Sequence, residues 1–98
     1  MLKSKKRLNI SSTEMLAVVL CQVKNRRDME RFLGEILTPA ERHDLTLRWE
    51  LMRRLNLGTS QRQIASDLKI SLCKITRGAK VLKNSESISR KLLAEKKL

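Results

Sequence analysis

Apolar positions recur along this chain at three- and four-residue steps, the period of helices that bury one face. The pattern is sharpest over residues 59–84, TSQRQIASDLKISLCKITRGAKVLKN. There Ile64, Ala65 and Leu68 share one side of a first short helix, and Leu72, Ile75, Ala79 and Leu82 form the core-facing stripe of a second. Ser60 followed by Gln63 has the form of a capping box, and Ser71 is a natural N-cap for the second helix. Lys69 and Ile70 make the turn between them, and a left-handed Lys69 would cost roughly 1 kcal/mol. Ala65 is small enough for two steeply crossed helices to approach closely. Lys74, Arg77, Lys80 and Lys83 project from the rest of the second helix. The pattern predicts a helix-turn-helix with a basic, outward-facing recognition helix.

The remaining chain also reads as helical. A first helix is expected over residues 12–26, with Ser11-Ser12-Thr13-Glu14 as its cap and apolar residues on most sides. A helix that greasy needs burial on more than one side, which in a chain of 98 residues implies a partner chain. A second helix spans residues 28–37, with Met29, Phe32, Leu33, Ile36 and Leu37 at helical spacing. Thr38-Pro39-Ala40-Glu41 then opens the longest helix, with Pro39 at N1 and Glu41 closing the box. That helix runs to about residue 57, its apolar sector includes Leu45, Leu51, Met52 and the core anchor Trp49, and Gly58 ends it. Residues 85–98 form a last helix with Ile88, Leu92 and Leu93 buried and Lys96 and Lys97 near its C-terminus. Period-two alternation is not sustained anywhere, so the fold class is all-α with six helices. The predicted organisation is a flexible basic arm over residues 1–10 and a single helical domain over 11–98. Within it, residues 11–58 are dimerisation helices, 59–84 the helix-turn-helix and 85–98 the C-terminal helix.

Charge narrows the partners. A formal net charge of +12 favours a polyanion, since neutralising phosphates releases condensed counterions. An anionic membrane surface is the rival, but the cations are spread over several helices rather than one amphipathic segment. Asp67 is the only acid between Ser60 and Asn84, which favours double-stranded DNA over a merely solvated face. Gln61 and Arg62 are placed for phosphate or a guanine edge. Ser71, Leu72, Cys73, Lys74 and Thr76 lead the recognition helix within reach of base edges, although Leu72 equally fits the core. Lys80 and Lys83 lie further along and suit the DNA backbone.

Cys21 and Cys73 form no CxxC and there is a single histidine, His43, so no metal site is expected. Cys21, in an apolar run, reads as a small buried hydrophobe, and an exposed unbridged Cys73 suits a reducing cytosol. The basic start followed by MLAVVLC superficially mimics a signal peptide, but the apolar run is short and no small-residue cleavage site follows. A cytoplasmic protein without a membrane span is expected. His43 has no nucleophile or ligand set near it in sequence, so an enzyme is not expected.

SQRQIASDL followed by KITRGAKVLK resembles the helix-turn-helix of the Trp repressor family, and LTPAERHDLTLRWELMRRL resembles that family's long helix. The two blocks cover about half the chain. The resemblance implies an intertwined homodimer whose two recognition helices enter successive major grooves of a palindromic operator, about 34 Å apart. It also implies L-tryptophan as corepressor, with its indole clamped between Arg48 and Arg77. Thr38 matches a residue that helps hold the carboxylate, and Glu35 and Leu37 match positions whose carbonyls receive the ammonium from the other chain. Gly78 leaves room against the ring. Three departures stand out: Val81 replaces a family serine that contacts the amino group, the loop between Gly58 and Ser60 is one residue short, and Lys69 stands where helix-turn-helix motifs often place glycine. Arg48 and Arg77 have a simpler reading as phosphate ligands. The alternatives are a family member that binds DNA without tryptophan, and a basic helical module for RNA or a protein partner.

Overall fold

The computed structural model describes residues 13–95, and all of the regular structure among them is α-helical. The helices are α1 (Glu14–Gln22), α2 (Arg26–Ile36), α3 (Pro39–Asn56), α4 (Gln61–Leu68), α5 (Leu72–Lys83) and α6 (Ile88–Ala94). The basic arm, Ser11 and Ser12 of the expected first cap, and Lys96 and Lys97 lie outside the described residues. The chain divides into two compact units, with the boundary between Thr38 and Pro39.

In the N-terminal unit, the first helix is shorter than its apolar pattern predicts. Thr13 is the N-cap but makes no side-chain cap bond, and the helix ends at Gln22 rather than near residue 26. The reason lies in the next segment. Asn25 is an extended N-cap whose Oδ1 accepts from the Asp28 backbone N–H at 2.8 Å, and its amide donates to Asp28 Oδ2 at 3.2 Å. An N-cap residue holds non-helical torsions, so one helix cannot run through it. α2 therefore starts at Arg26, two residues before the expected Asp28. Neither α1 nor α2 contains a buried residue. Met15, Leu16 and Val18 of α1 are exposed, and so is Cys21, contrary to its expected burial. The apolar run around Cys21 suggests a core, but none of the described residues covers it.

The C-terminal unit is built on α3, against which α4, α5 and α6 pack. Leu51, Met52, Ile64, Ile75 and Leu93 form its core, with Trp49, Leu55, Ala65, Leu68, Ile70 and Leu82 packed around them. Gly58 ends the α3 segment in the left-handed region at φ 93°, the Gly58 N–H donating to the Leu55 carbonyl and the Thr59 N–H to that of Arg54. Those two bonds are a Schellman motif, which satisfies the last carbonyls of the helix. Ser60 caps α4 by accepting from the Gln63 N–H at 3.2 Å. The turn into α5 passes through Lys69, held left-handed at φ 56° and ψ 47°. Ser71 then caps α5 by accepting from the Lys74 N–H.

α5 meets α3 at Gly78. A Cβ built there would stand 2.6 Å from Leu51 Cδ1 and 3.4 Å from Met52 Cγ, so the absence of a side chain sets how closely the two helices approach. α6 begins three residues later than the sequence pattern predicts. Asn84 turns the chain by accepting from the Glu86 N–H at 2.8 Å, and the nearly buried Ser87 caps the helix at the Arg90 N–H. This register buries Leu93 but leaves Ile88 and Leu92 exposed, where burial of all three was expected. Among the described residues no helix is long and apolar enough to cross a membrane.

Candidate nucleic-acid interface and an adjoining hollow

Ile75, Gly78, Ala79 and Leu82 turn α5 toward the core, which fixes what the opposite side presents. Cys73, Thr76, Arg77, Lys80 and Lys83 are exposed, as are Lys74 and the leading Leu72. Leu72 at 52% exposure settles its two readings in favour of the outer surface. Gln61 and Arg62 are likewise exposed, at the first turn of α4. Ser71 is exposed too; its oxygen accepts the bond that caps α5, and its hydroxyl proton and second lone pair remain to face outward. Among the described residues no acid forms an ion pair with Lys74, Arg77, Lys80 or Lys83.

Two acids of this unit, Glu50 and Asp67, are occupied away from that face. Glu50 accepts from Arg53 at 2.9 Å and from Arg54 at 2.8 Å. Arg54 reaches on to Asp67 of α4 at 3.1 Å, and Gln63 donates to the other Asp67 oxygen at 2.8 Å. Hydrogen bonds from Arg53 and then Arg54 hold the Glu50 carboxyl down at about 2, from an ordinary 4.5. The same bond raises the Arg53 guanidinium. This network ties α4 to α3 and takes up Asp67, the one acid within the α4–α5 segment. The α5 face is thereby left with an uncompensated positive field.

Beside that face, α3 and α5 enclose a hollow of about 110 Å³. From α3 it is lined by Asp44, Leu47, Arg48, Leu51 and Met52. Lys74, Arg77, Gly78 and Val81 line it from α5, and Ile70 from the turn. The space is on the order of ten water molecules, the scale of an amino acid or a small heterocycle. Arg48 and Arg77 thus share one hollow despite the short loop after Gly58. Gly78 lines the hollow and has a further part that was not expected: its missing Cβ also makes room for Leu51. Glu35, Leu37 and Thr38 belong to the N-terminal unit. Glu35 lies exposed in the last turn of α2, and Leu37 is the helix's C-cap, donating its N–H to the Leu33 carbonyl. Asp44, Leu47 and Ile70 were not assigned to a ligand site from sequence. Part of the signal was available, since 44, 47, 48, 51 and 52 lie on one side of α3 and 74, 77, 78 and 81 on one side of α5, whereas Ile70 enters from the turn.

The family model described as Trp repressor protein matches residues 11–97. The chain belongs to the Trp repressor family. Among Trp repressor relatives, the Trp operon repressor homologs of Xylella fastidiosa strains M23 and Temecula1 / ATCC 700964 are each 42% identical over 73 residues. Each alignment covers 74% of this chain and 79% of the relative. No solved structure matches the chain significantly. The names of the family and of these relatives are those of repressors, not of enzymes. For this Trp repressor family member, the matched region takes in both the α5 face and the hollow.

Proposed function

We propose that this Trp repressor family member is a cytoplasmic, homodimeric transcriptional repressor that binds a palindromic DNA operator and uses L-tryptophan as corepressor. In this reading α4, the Lys69–Ser71 turn and α5 are a helix-turn-helix. Lys74 and Thr76, with Leu72 and Cys73 beside them, meet base edges; Gln61, Arg62, Lys80 and Lys83 hold phosphates. The observation that carries the proposal is the exposed, acid-free row of cations along α5 in a chain of this family.

The hollow suits the corepressor. Two planar guanidiniums can stack on an aromatic ring, and Arg77 can also pair with a carboxylate. Its apolar floor of Leu47, Leu51 and Met52 accepts the ring itself. A ligand held between α3 and α5 restricts the angle of α5 and so favours the conformation that fits the groove.

Gel-shift titration of an operator-like duplex tests the proposal, with and without L-tryptophan. Tighter binding with the amino acid, and weak binding to unrelated DNA and RNA, is expected. One observation favours a second reading, DNA binding without tryptophan: Val81 brings a hydrocarbon where a hydroxyl would contact the ligand, removing a hydrogen bond of roughly 1 kcal/mol. Specific affinity indifferent to tryptophan would establish that reading, and equal affinity for any nucleic acid would refute both.

A further inference from the structure

The hollow between α3 and α5 is not uniformly positive. Asp44 lines it together with Arg48, Arg77 and Lys74 around an apolar floor. Asp44 and Arg48 stand one helical turn apart on α3, about 6 Å along its axis. Asp44 forms no ion pair among the described residues, although cations surround the hollow it lines. An exposed carboxylate gains little from any one surface ion pair, so Asp44 remains available to a ligand in the hollow. It does repel a simple organic anion from a space whose other charges attract one. One negative and several positive groups around apolar walls are instead the charge complement of a zwitterion with an apolar side chain.

We infer that Asp44 is a specificity-determining residue that receives the ammonium of an α-amino acid in this hollow, selecting a zwitterion over a plain carboxylic acid. The inference rests on the ligand site proposed above and adds to it the group that reads the amino end. Arg48 and Arg77 take the carboxylate and ring, and Asp44 takes the opposite charge. Val81 provides no polar atom for the ammonium; Asp44 puts an acid on the hollow's own wall, in addition to the backbone carbonyls that the family resemblance assigns to Glu35 and Leu37 of the other chain. A charge-assisted hydrogen bond on a partly exposed site is worth about a five- to ten-fold change in affinity.

The test is calorimetric titration of the full chain and of Asp44→Asn with two probes, L-tryptophan and indole-3-propionate, which lacks the ammonium. Asp44 is exposed and outside the core, and the second probe itself reports that the variant retains its site. Asp44→Asn is expected to weaken L-tryptophan about five- to ten-fold while indole-3-propionate binds as well as before or better. An unchanged ratio of the two affinities overturns the role of Asp44 and leaves the ligand site standing. Failure of the unaltered chain to bind either probe overturns the ligand site and this inference with it.

Discussion

Lys69 has a backbone that suits glycine. Its left-handed torsions are the only positive φ at a non-glycine position among the described residues. A lysine pays roughly 1 kcal/mol there in steric crowding of its Cβ. The turn keeps that geometry because Ile64 and Ile75, both at 0% exposure, fix the helices on either side. Replacing Lys69 by Gly should therefore stabilise the fold by up to about 1 kcal/mol, read as a higher denaturation midpoint at unchanged slope. A lower midpoint would show that the lysine stem contributes more than its strain removes. Gly78 is the converse case. The family resemblance places it in a ligand pocket, and it lines the hollow, but a Cβ there would also collide with Leu51. Sequence spacing places a glycine on a helix face but cannot say which partner's bulk it accommodates.

At the scale of elements, caps were the most legible features. Ser60, Ser71 and Gly58 act as their chemistry predicts, because capping is local and a few residues suffice to specify it. Where the pattern misled, another local bond had intervened: Asn25 interrupts the first apolar helix, and Asn84 with Ser87 delays the last. The clasp between α3 and α4 was not legible, since Arg54 and Asp67 are far apart in sequence and meet only after folding. It has a pH signature. Glu50 is depressed in the folded state to about 2 from 4.5, so its contribution is complete above 4.5 and is lost as pH falls toward 2. Glu50→Gln should destabilise the fold by about 1 kcal/mol at neutral pH, a figure kept low because the network is partly solvated. The gap between variant and parent should close on acidification through that window in urea melts. A gap that widens on acidification would contradict the assignment.

For the whole molecule, charge and apolar surface point to two different partners. α1 buries nothing and exposes Met15 at 75% and Val18 at 55%, a surface that a lone small chain has little reason to carry. The proposed homodimer predicts sedimentation as a two-chain species at micromolar concentration, and a shift toward monomer in Val18→Asp. A monomer at all concentrations would refute it. The all-α class, the helix count and the basic face were readable from periodicity and composition, because each depends on many residues at once. The arrangement of Asp44 beside Arg48 and Arg77 was not, since it depends on how two distant helix faces close on each other.

The central claim, that α5 grips nucleic acid through its unpaired cations, is tested most directly by the salt dependence of binding to an operator-like duplex. Fluorescence anisotropy of labelled DNA should be compared for the parent chain and the double variant Lys80→Ala, Lys83→Ala. Each phosphate contact contributes about 0.9 to the slope of log affinity against log salt, so the variant's slope should be shallower by about 2 per chain. An affinity and slope identical to the parent's would show that DNA, if bound at all, is held by some other face of the molecule.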